Sequence, residues 1–199
     1  VSIKLAIFYS ITLCLLALFV LLSFNSLTII MAFGSMPLAF TYPLMKRFTY
    51  WPQLFLGITF NYGLILGWTA TKGQIDIIPI IFYFGAIFWT LGYDTIYGFQ
   101  DLKDDEIIGL KSTSIKFKKR PYTLLISCYS IFFISLSIIA NYMDFNNISL
   151  VIFIIIFMHM FYFQIKKLNI NDEISCFRIF KSNNMLGLMV FIAVVIGKL

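Results

Sequence analysis

The chain has 199 residues, of which 60% are hydrophobic, 19% aromatic and only 12% charged. A soluble domain carries about a quarter charged residues, so this composition excludes a water-soluble fold and indicates a polytopic membrane protein. The formal net charge of +6 does not indicate a nucleic-acid partner, because the basic residues lie in the connections between apolar runs and form no separate stripe.

A membrane-crossing helix needs about 20 apolar residues. Seven stretches meet or approach that length, at 5–24, 27–45, 54–71, 77–93, 122–140, 148–164 and 185–197. The last is short and is expected to run on to the C-terminus or back across Asn183 and Asn184. The expected fold class is therefore all-α, a single bundle of about seven transmembrane helices in a lipid bilayer. Residues 5–24 read as a span and not as a cleavable signal, since Lys4 is the only nearby basic residue and no small-residue cleavage site follows. The chain begins with Val1 and not Met, so its N-terminus is expected not to be the native one. Cys14, Cys128 and Cys176 are far apart and show no metal-ligand spacing, which makes them small apolar or interfacial residues. His159 lies alone in an apolar span and reads as a core histidine hydrogen-bonded to a neighbouring helix.

Seven alternating spans sort the connections into two sets. One set holds Lys4, Lys46, Arg47 and the segments 94–121 and 165–184, with thirteen Lys and Arg in total; the other holds only Lys72 and Lys198. The positive-inside rule places the first set in the cytoplasm. The 28-residue segment 94–121 is polar and runs from acidic to basic, ending at Pro121. A connection of that length is usually functional or disordered. Segment 165–184 mixes Lys166, Lys167, Arg178 and Lys181 with Ile174, Phe177, Ile179 and Phe180, a pattern expected of an interfacial amphipathic stretch.

Four of the nine acidic residues fall within 94–105: Asp94, Asp101, Asp104 and Asp105. If the preceding helix continues, spacings of three and four put Asp94, Tyr97, Asp101 and Asp105 on one face. Carboxylates crowded on one face repel one another unless a cation lies between them, and hard oxygen donors suit Mg²⁺. The simpler alternative is a solvated acidic helix end. Lys46 and Arg47 close the second span on the same side. They either set topology or bind phosphate oxygens, Arg as a bidentate fork and Lys as a point charge. Lys111 either neutralises a diphosphate or balances the adjacent acids. Charges sit at the ends of the spans, not within them, which argues against a cation transporter or channel subunit.

Asp94-x-x-Tyr97-x-x-x-Asp101-x-x-x-Asp105, followed by Gly109-x-Lys111-Ser112-Thr113, resembles the second aspartate-rich motif of the UbiA family of intramembrane prenyltransferases. Tyr42-Pro43-x-x-Lys46-Arg47-x-Thr49-x-x-Pro52-Gln53 resembles a segment of the family's 4-hydroxybenzoate branch, which acts in ubiquinone synthesis. The resemblance covers essentially the whole chain. It implies Mg²⁺-dependent transfer of a polyprenyl group from polyprenyl diphosphate to the ring of 4-hydroxybenzoate, with homogentisate, a naphthoate or haem as alternative acceptors. It implies Mg²⁺ on Asp94, Asp101 and Asp105, with Asp104 a weaker ligand, and catalytic roles for Asp94, Tyr97, Asp101 and Asp105. Lys46, Arg47 and Lys111 would bind the diphosphate, in a bacterial inner membrane with the site facing the cytoplasm. The family has nine helices and a further acidic motif of the form Asn-Asp-x-x-Asp-x-x-x-Asp after its second helix. No such motif occurs here, so the seven spans are expected to match helices three to nine. On this resemblance the 199 residues are expected to be an N-terminally truncated form, inactive or impaired by themselves.

Overall fold

In lipid every backbone N–H and C=O must find its partner within the protein, which leaves helices as the natural state of long apolar runs. The computed structural model describes residues 2–198, and all of its regular elements there are helical. Val1, on which the expectation about the native terminus rests, lies outside the described residues. Seven helical stretches among those residues are long and apolar enough to cross a membrane: Ile3–Leu21, Ser26–Phe48, Pro52–Lys72, Ile77–Gly98, Pro121–Tyr142, Asn147–Ile165 and Glu173–Gly197.

Helix α1 (Ile3–Leu21) is capped by Ser2, buries no residue and stands apart from the rest. Helix α2 (Ser26–Thr41) is capped by Asn25, whose amide also donates to the Thr69 carbonyl at 2.8 Å. A 3₁₀ turn at Tyr42–Leu44 and the short α3 (Met45–Phe48) complete the second span. The third span is two helices, α4 (Pro52–Phe60) and α5 (Gly63–Lys72), broken at Asn61. The Asn61 amide donates to Gly57 O at 2.8 Å, Ala86 O at 3.2 Å and Thr90 Oγ1 at 2.7 Å.

Helix α6 (Ile77–Gly98) is the central strut, packed by α4, α9 (Pro121–Tyr142) and the last helix, α11 (Glu173–Gly197). Its approach to α9 is close because Gly92 has no side chain: a Cβ there would lie 2.6 Å from the Tyr129 ring. Between α6 and α9 the chain forms two short helices, α7 (Leu102–Ile108) and α8 (Thr113–Phe117). After α9, α10 (Asn147–Phe157) passes directly into a π-helical stretch, Met158–Ile165.

Several expectations are corrected. The fourth span does not stop at residue 93 but continues five residues to Gly98, which carries Asp94 and Tyr97 on the span itself. The segment 94–121 is ordered by α7 and α8. Most of 165–184 is not an interfacial stretch, because α11 starts at Glu173, capped by Asp172, and reaches Gly197 unbroken. The basic residues Arg178 and Lys181 thus extend from the first turns of a span, long side chains that can reach its polar boundary. His159 is half-buried and meets Gln164 of its own segment, with 3.3 Å between Nδ1 and Nε2. Cys128 and Cys176 are buried, whereas Cys14 is exposed on α1.

Candidate functional site

Asp94 sits one turn before the end of α6. The helix stops at Gly98, and Phe99–Asp101 turn the chain. Asp101 takes the N-cap position of α7 with φ −97° and ψ 9°, but its side chain caps nothing. Its carbonyl accepts the Asp105 N–H at 2.8 Å. The expected single acidic face is therefore broken between Gly98 and Leu102, and Asp94 and Asp105 belong to different helices.

The same turn brings Asp105 back over the end of the bundle. Gly109 ends α7 in the left-handed region, φ 79°, which favours glycine. That geometry lets Leu110 N–H bond the Asp105 carbonyl at 2.9 Å and aims Lys111 N–H at the Lys46 carbonyl, also at 2.9 Å. The α7–α8 connection is thus stitched to α3 through the backbone of the two lysines that the sequence singled out. Asp105 is 7% exposed, and the Lys46 ammonium lies 3.8 Å from its Oδ2. Lys46 is also the cation that acts on Asp94. The Lys111 ammonium donates to the Phe48 carbonyl at 3.4 Å and lies 5.6 Å from the Tyr50 ring centre.

A buried hydrogen-bond set holds this joint. Gln53 Oε1 accepts Thr113 N–H at 3.0 Å, the Thr95 and Thr113 hydroxyls are 2.7 Å apart, and the Ser114 hydroxyl donates to Thr95 O at 2.9 Å. Gln53, Thr95, Thr113 and Ser114 are all buried. Their supporting role was not read from the sequence. The available signal was the presence of Gln53 and Thr113 inside the two quoted motifs. Lys116, also unassigned, stacks its ammonium 4.4 Å from the Trp51 ring centre.

The structure thus places Lys46 near both Asp105 and Asp94, and ties Lys111 to Lys46 through the backbone while its ammonium faces Phe48 O and Tyr50. It does not bring in the others to the same degree. Asp101, Asp104 and Arg47 are exposed and make no ion pair among the described residues. Tyr97 is 39% exposed, with its ring 4.7 Å from that of Phe180 on α11. Glu106 pairs with Lys118, away from Lys46. Among the described residues no three His, Cys, Asp or Glu side chains converge on one point. The donor chemistry of Asp94 and Asp105 nevertheless fits Mg²⁺, which is commonly held by one or two carboxylates plus water and substrate phosphates.

The helix that carries Asp94 also lines an apolar cavity. Trp89, five residues earlier on α6 and so about 7.5 Å along the axis, lines a cavity of about 240 Å³ with Asn61, Ala86 and Gly187. This cavity shares Leu64, Phe82 and Val194 with a second one of about 320 Å³ that reaches Trp68 and Phe145. The lining of both cavities is mainly apolar, which suits a hydrocarbon tail.

Comparison with known proteins gives the same direction. The profile of the UbiA prenyltransferase family matches residues 1–193. The mitochondrial 4-hydroxybenzoate polyprenyltransferase of Bos taurus is 43% identical over 186 residues, covering 92% of this chain and 50% of that protein. The 4-hydroxybenzoate octaprenyltransferase of Francisella tularensis subsp. novicida (strain U112) is 37% identical over 198 residues, covering 98% of this chain and 68% of that protein. The chain therefore spans about half the length of the mitochondrial relatives it matches. The apo structure of a UbiA homolog from Aeropyrum pernix K1 superposes with a TM-score of 0.64 at 16% identity, over 88% of this chain and 66% of that one, a likeness of fold.

Proposed function

The chain belongs to the UbiA prenyltransferase family, and from that premise we propose that its protein transfers a polyprenyl group from polyprenyl diphosphate to the ring of 4-hydroxybenzoate. The observation that carries the reading is the placement of the Lys46 ammonium beside buried Asp105 and within electrostatic reach of Asp94, with Lys111 joined to Lys46 through the backbone. The names of the relatives support the acceptor. The seven spans stand as helices three to nine of the family's bundle. The one-sided distribution of Lys and Arg supports a site facing the cytoplasm; the membrane in this reading is a bacterial inner membrane.

In this reading Asp94 and Asp105 hold Mg²⁺, with Asp101 and Asp104 available at the rim. The metal's charge, when bound, stabilises the diphosphate as negative charge gathers on it. Lys46 gives up its contact with Asp105 and, with Lys111, turns to the diphosphate oxygens; Arg47 reaches them from the rim. Tyr97 orients the head group from the α11 side. The allylic C–O bond breaks, its electron pair leaves with the diphosphate, and the carbocation bonds the ring carbon ortho to the phenolic oxygen. That carbon then loses its proton. Fixed cations placed where charge develops lower the barrier most when water is excluded, and the apolar interior below Asp94 provides that exclusion.

The test is an assay of membranes carrying the whole protein, supplied with polyprenyl diphosphate, Mg²⁺ and 4-hydroxybenzoate, homogentisate or a naphthoate in parallel. Prenylated 4-hydroxybenzoate, formed only with Mg²⁺, is the expected product; transfer to another acceptor alone refutes the assignment. Residues 1–199 carry a single aspartate-rich motif, so the reading includes impaired transfer when these residues are assayed by themselves. Turnover equal to that of the whole protein removes that part of it.

A further inference from the structure

The bundle interior holds a group of polar side chains that the diphosphate site does not use. Gln164 and Tyr129 are 0% exposed and Asn183 is 7% exposed. The Tyr129 hydroxyl donates to Gln164 Oε1, and Gln164 Nε2 donates to Asn183 Oδ1 at 3.0 Å. The Trp89 indole N–H donates to the same Asn183 oxygen at 2.9 Å. The chain of bonds ties α6, α9, the π-helical stretch and α11 together. Polar groups within a membrane protein's interior commonly serve as glue between helices, and such adhesion accounts for the links from Tyr129 to Asn183. It leaves open why the chain ends on the edge of a cavity-lining indole. π-Helical stretches are rare and occur often at functional sites; Gln164 lies in one.

Three independent features fix the Trp89 ring. Its N–H is held by Asn183. Its face stacks on Phe132, with centroids 5.0 Å apart and planes 11° from parallel. Its rim is accommodated by Gly187, one turn beyond Asn183 on α11, where a Cβ would lie 3.3 Å from Trp89 Cη2. Trp89 and Gly187 both line the cavity of about 240 Å³. Above them Tyr93 meets Trp89 edge-on at 5.6 Å, one residue before Asp94.

We propose that Trp89 is the wall on which the first isoprenoid units of the allylic diphosphate rest, and that Asn183, held by Gln164 and Tyr129, is the positioning residue that sets the indole plane. The proposal rests on the prenyl-transfer reading. A flat indole offers a large apolar contact at little entropic cost, and its electron-rich face favours positive charge nearby. Asn183 Oδ1 serves two donors, so its loss leaves the Trp89 N–H without a partner in the interior and Gln164 Nε2 with only His159 Nδ1, and frees the ring to turn.

The test uses the whole protein carrying Trp51→Phe and Trp68→Phe, with Phe also at every tryptophan outside residues 1–199, which leaves Trp89, one of the three tryptophans of this sequence, as the reporter. Geranyl diphosphate with Mg²⁺ should change the Trp89 emission, whereas inorganic diphosphate with Mg²⁺ should not. Asn183→Ala should shift the emission of the ligand-free protein and raise KM for the prenyl diphosphate about fivefold to tenfold, the effect of one or two net hydrogen bonds. KM for the aromatic acceptor should stay within about twofold, as expected when binding of only one substrate is touched. Gly187→Ala crowds the indole rim with Asn183 intact and should give the same split if Asn183→Ala fails to accumulate. In a Trp89→Phe background Asn183→Ala should add less than about twofold, because the group it positions is gone. Emission indifferent to the prenyl tail, equal rises in both KM values, or an undiminished effect in the Trp89→Phe background overturns the proposal. Absence of transfer to any acceptor by the unaltered protein overturns the functional reading instead, and the emission comparison still decides the role of Trp89.

Discussion

Gly98→Ala strikes the joint on which the site depends. Gly98 ends α6 where residues 112–114 cross it, and an added Cβ would run into Ser114 Oγ and lie 3.3 Å from Gln53 Nε2 and 3.4 Å from Ser114 Cβ. Relief has two routes. The Ser114 hydroxyl can turn off the Thr95 carbonyl, losing a 2.9 Å bond. Otherwise the segment lifts, straining the 3.0 Å bond from Thr113 N–H to Gln53. Ser114 and Thr113 are both 0% exposed, so a group turned off its partner stays buried, at about 1–3 kcal/mol. Forcing the backbone apart costs a similar 1–3 kcal/mol or so. The routes are alternatives, so the costs do not add. A Gly→Ala change in a helix returns about 0.5–1 kcal/mol, which leaves a net loss of about 1–2 kcal/mol. Gly67→Ala in α5 meets nothing within 4 Å and should show only the gain. Ser114→Ala removes the crowding oxygen, so Gly98→Ala in that background should cost about 1 kcal/mol less. The measurements are unfolding free energy in mixed detergent micelles and prenyl transfer. Transfer should fall about tenfold or more for Gly98→Ala, because the same segment carries Lys111 and abuts Lys46. A Gly98→Ala protein as stable and as active as the parent would refute the docking of 112–114 on α6. An unchanged cost in the Ser114→Ala background would show that the wrong contact is blamed.

The two neighbouring aspartates of α7 should behave very differently. Asp105→Asn removes a buried carboxylate paired with Lys46 and should lower Mg²⁺-dependent transfer by about 100-fold or more, whereas exposed Asp104→Asn should stay within about threefold; equal losses in the two kcat/KM values would refute the distinction. Lys46→Gln should raise KM for the prenyl diphosphate about tenfold, more than Arg47→Gln does, since Lys46 is the cation already beside buried Asp105, whereas Arg47 is exposed and makes no ion pair among the described residues. The opposite order, measured by initial rates across diphosphate concentrations, would make Arg47 the inner cation.

The membrane bundle was legible because its signal is long and cumulative. Spans such as 122–140 and 148–164 reappear within a few residues as Pro121–Tyr142 and Asn147–Ile165. The errors fall where local signals are short. Polar Asn183 and Asn184 hid the start of α11, because a hydropathy reading does not see that Asn183 is satisfied by Trp89 and Gln164 across the bundle. The break after Gly98 was invisible for the opposite reason. Nothing in Phe99-Gln100-Asp101 forbids a helix, and the turn follows from tertiary contacts, with α8 lying against Gly98 and Gln53 receiving Thr113. Residue types at the site were therefore readable, while their division between a buried pair and an exposed rim was not.

That division changes how the site is expected to work. A single acidic helix face would be a rigid comb of carboxylates with one spacing. Here Asp94 is fixed by the end of α6, and Asp105 by a separate short helix followed by Lys111 and Thr113, which are tied to Lys46 O, Gln53 and Thr95. The backbone of each carrier is pinned by buried hydrogen bonds, which is how first-contact groups are kept in register. The mobile parts are the ammonium arms of Lys46 and Lys111, each on a long stem and neither confined by a close, fully buried ion pair: the Lys46 side chain is 46% exposed and 3.8 Å from its partner. An exposed pair at that distance holds its lysine weakly. On the proposed reading, a diphosphate with its several anionic oxygens would compete for that ammonium on favourable terms, which is why the Lys46 substitution is expected to act on KM for the prenyl diphosphate.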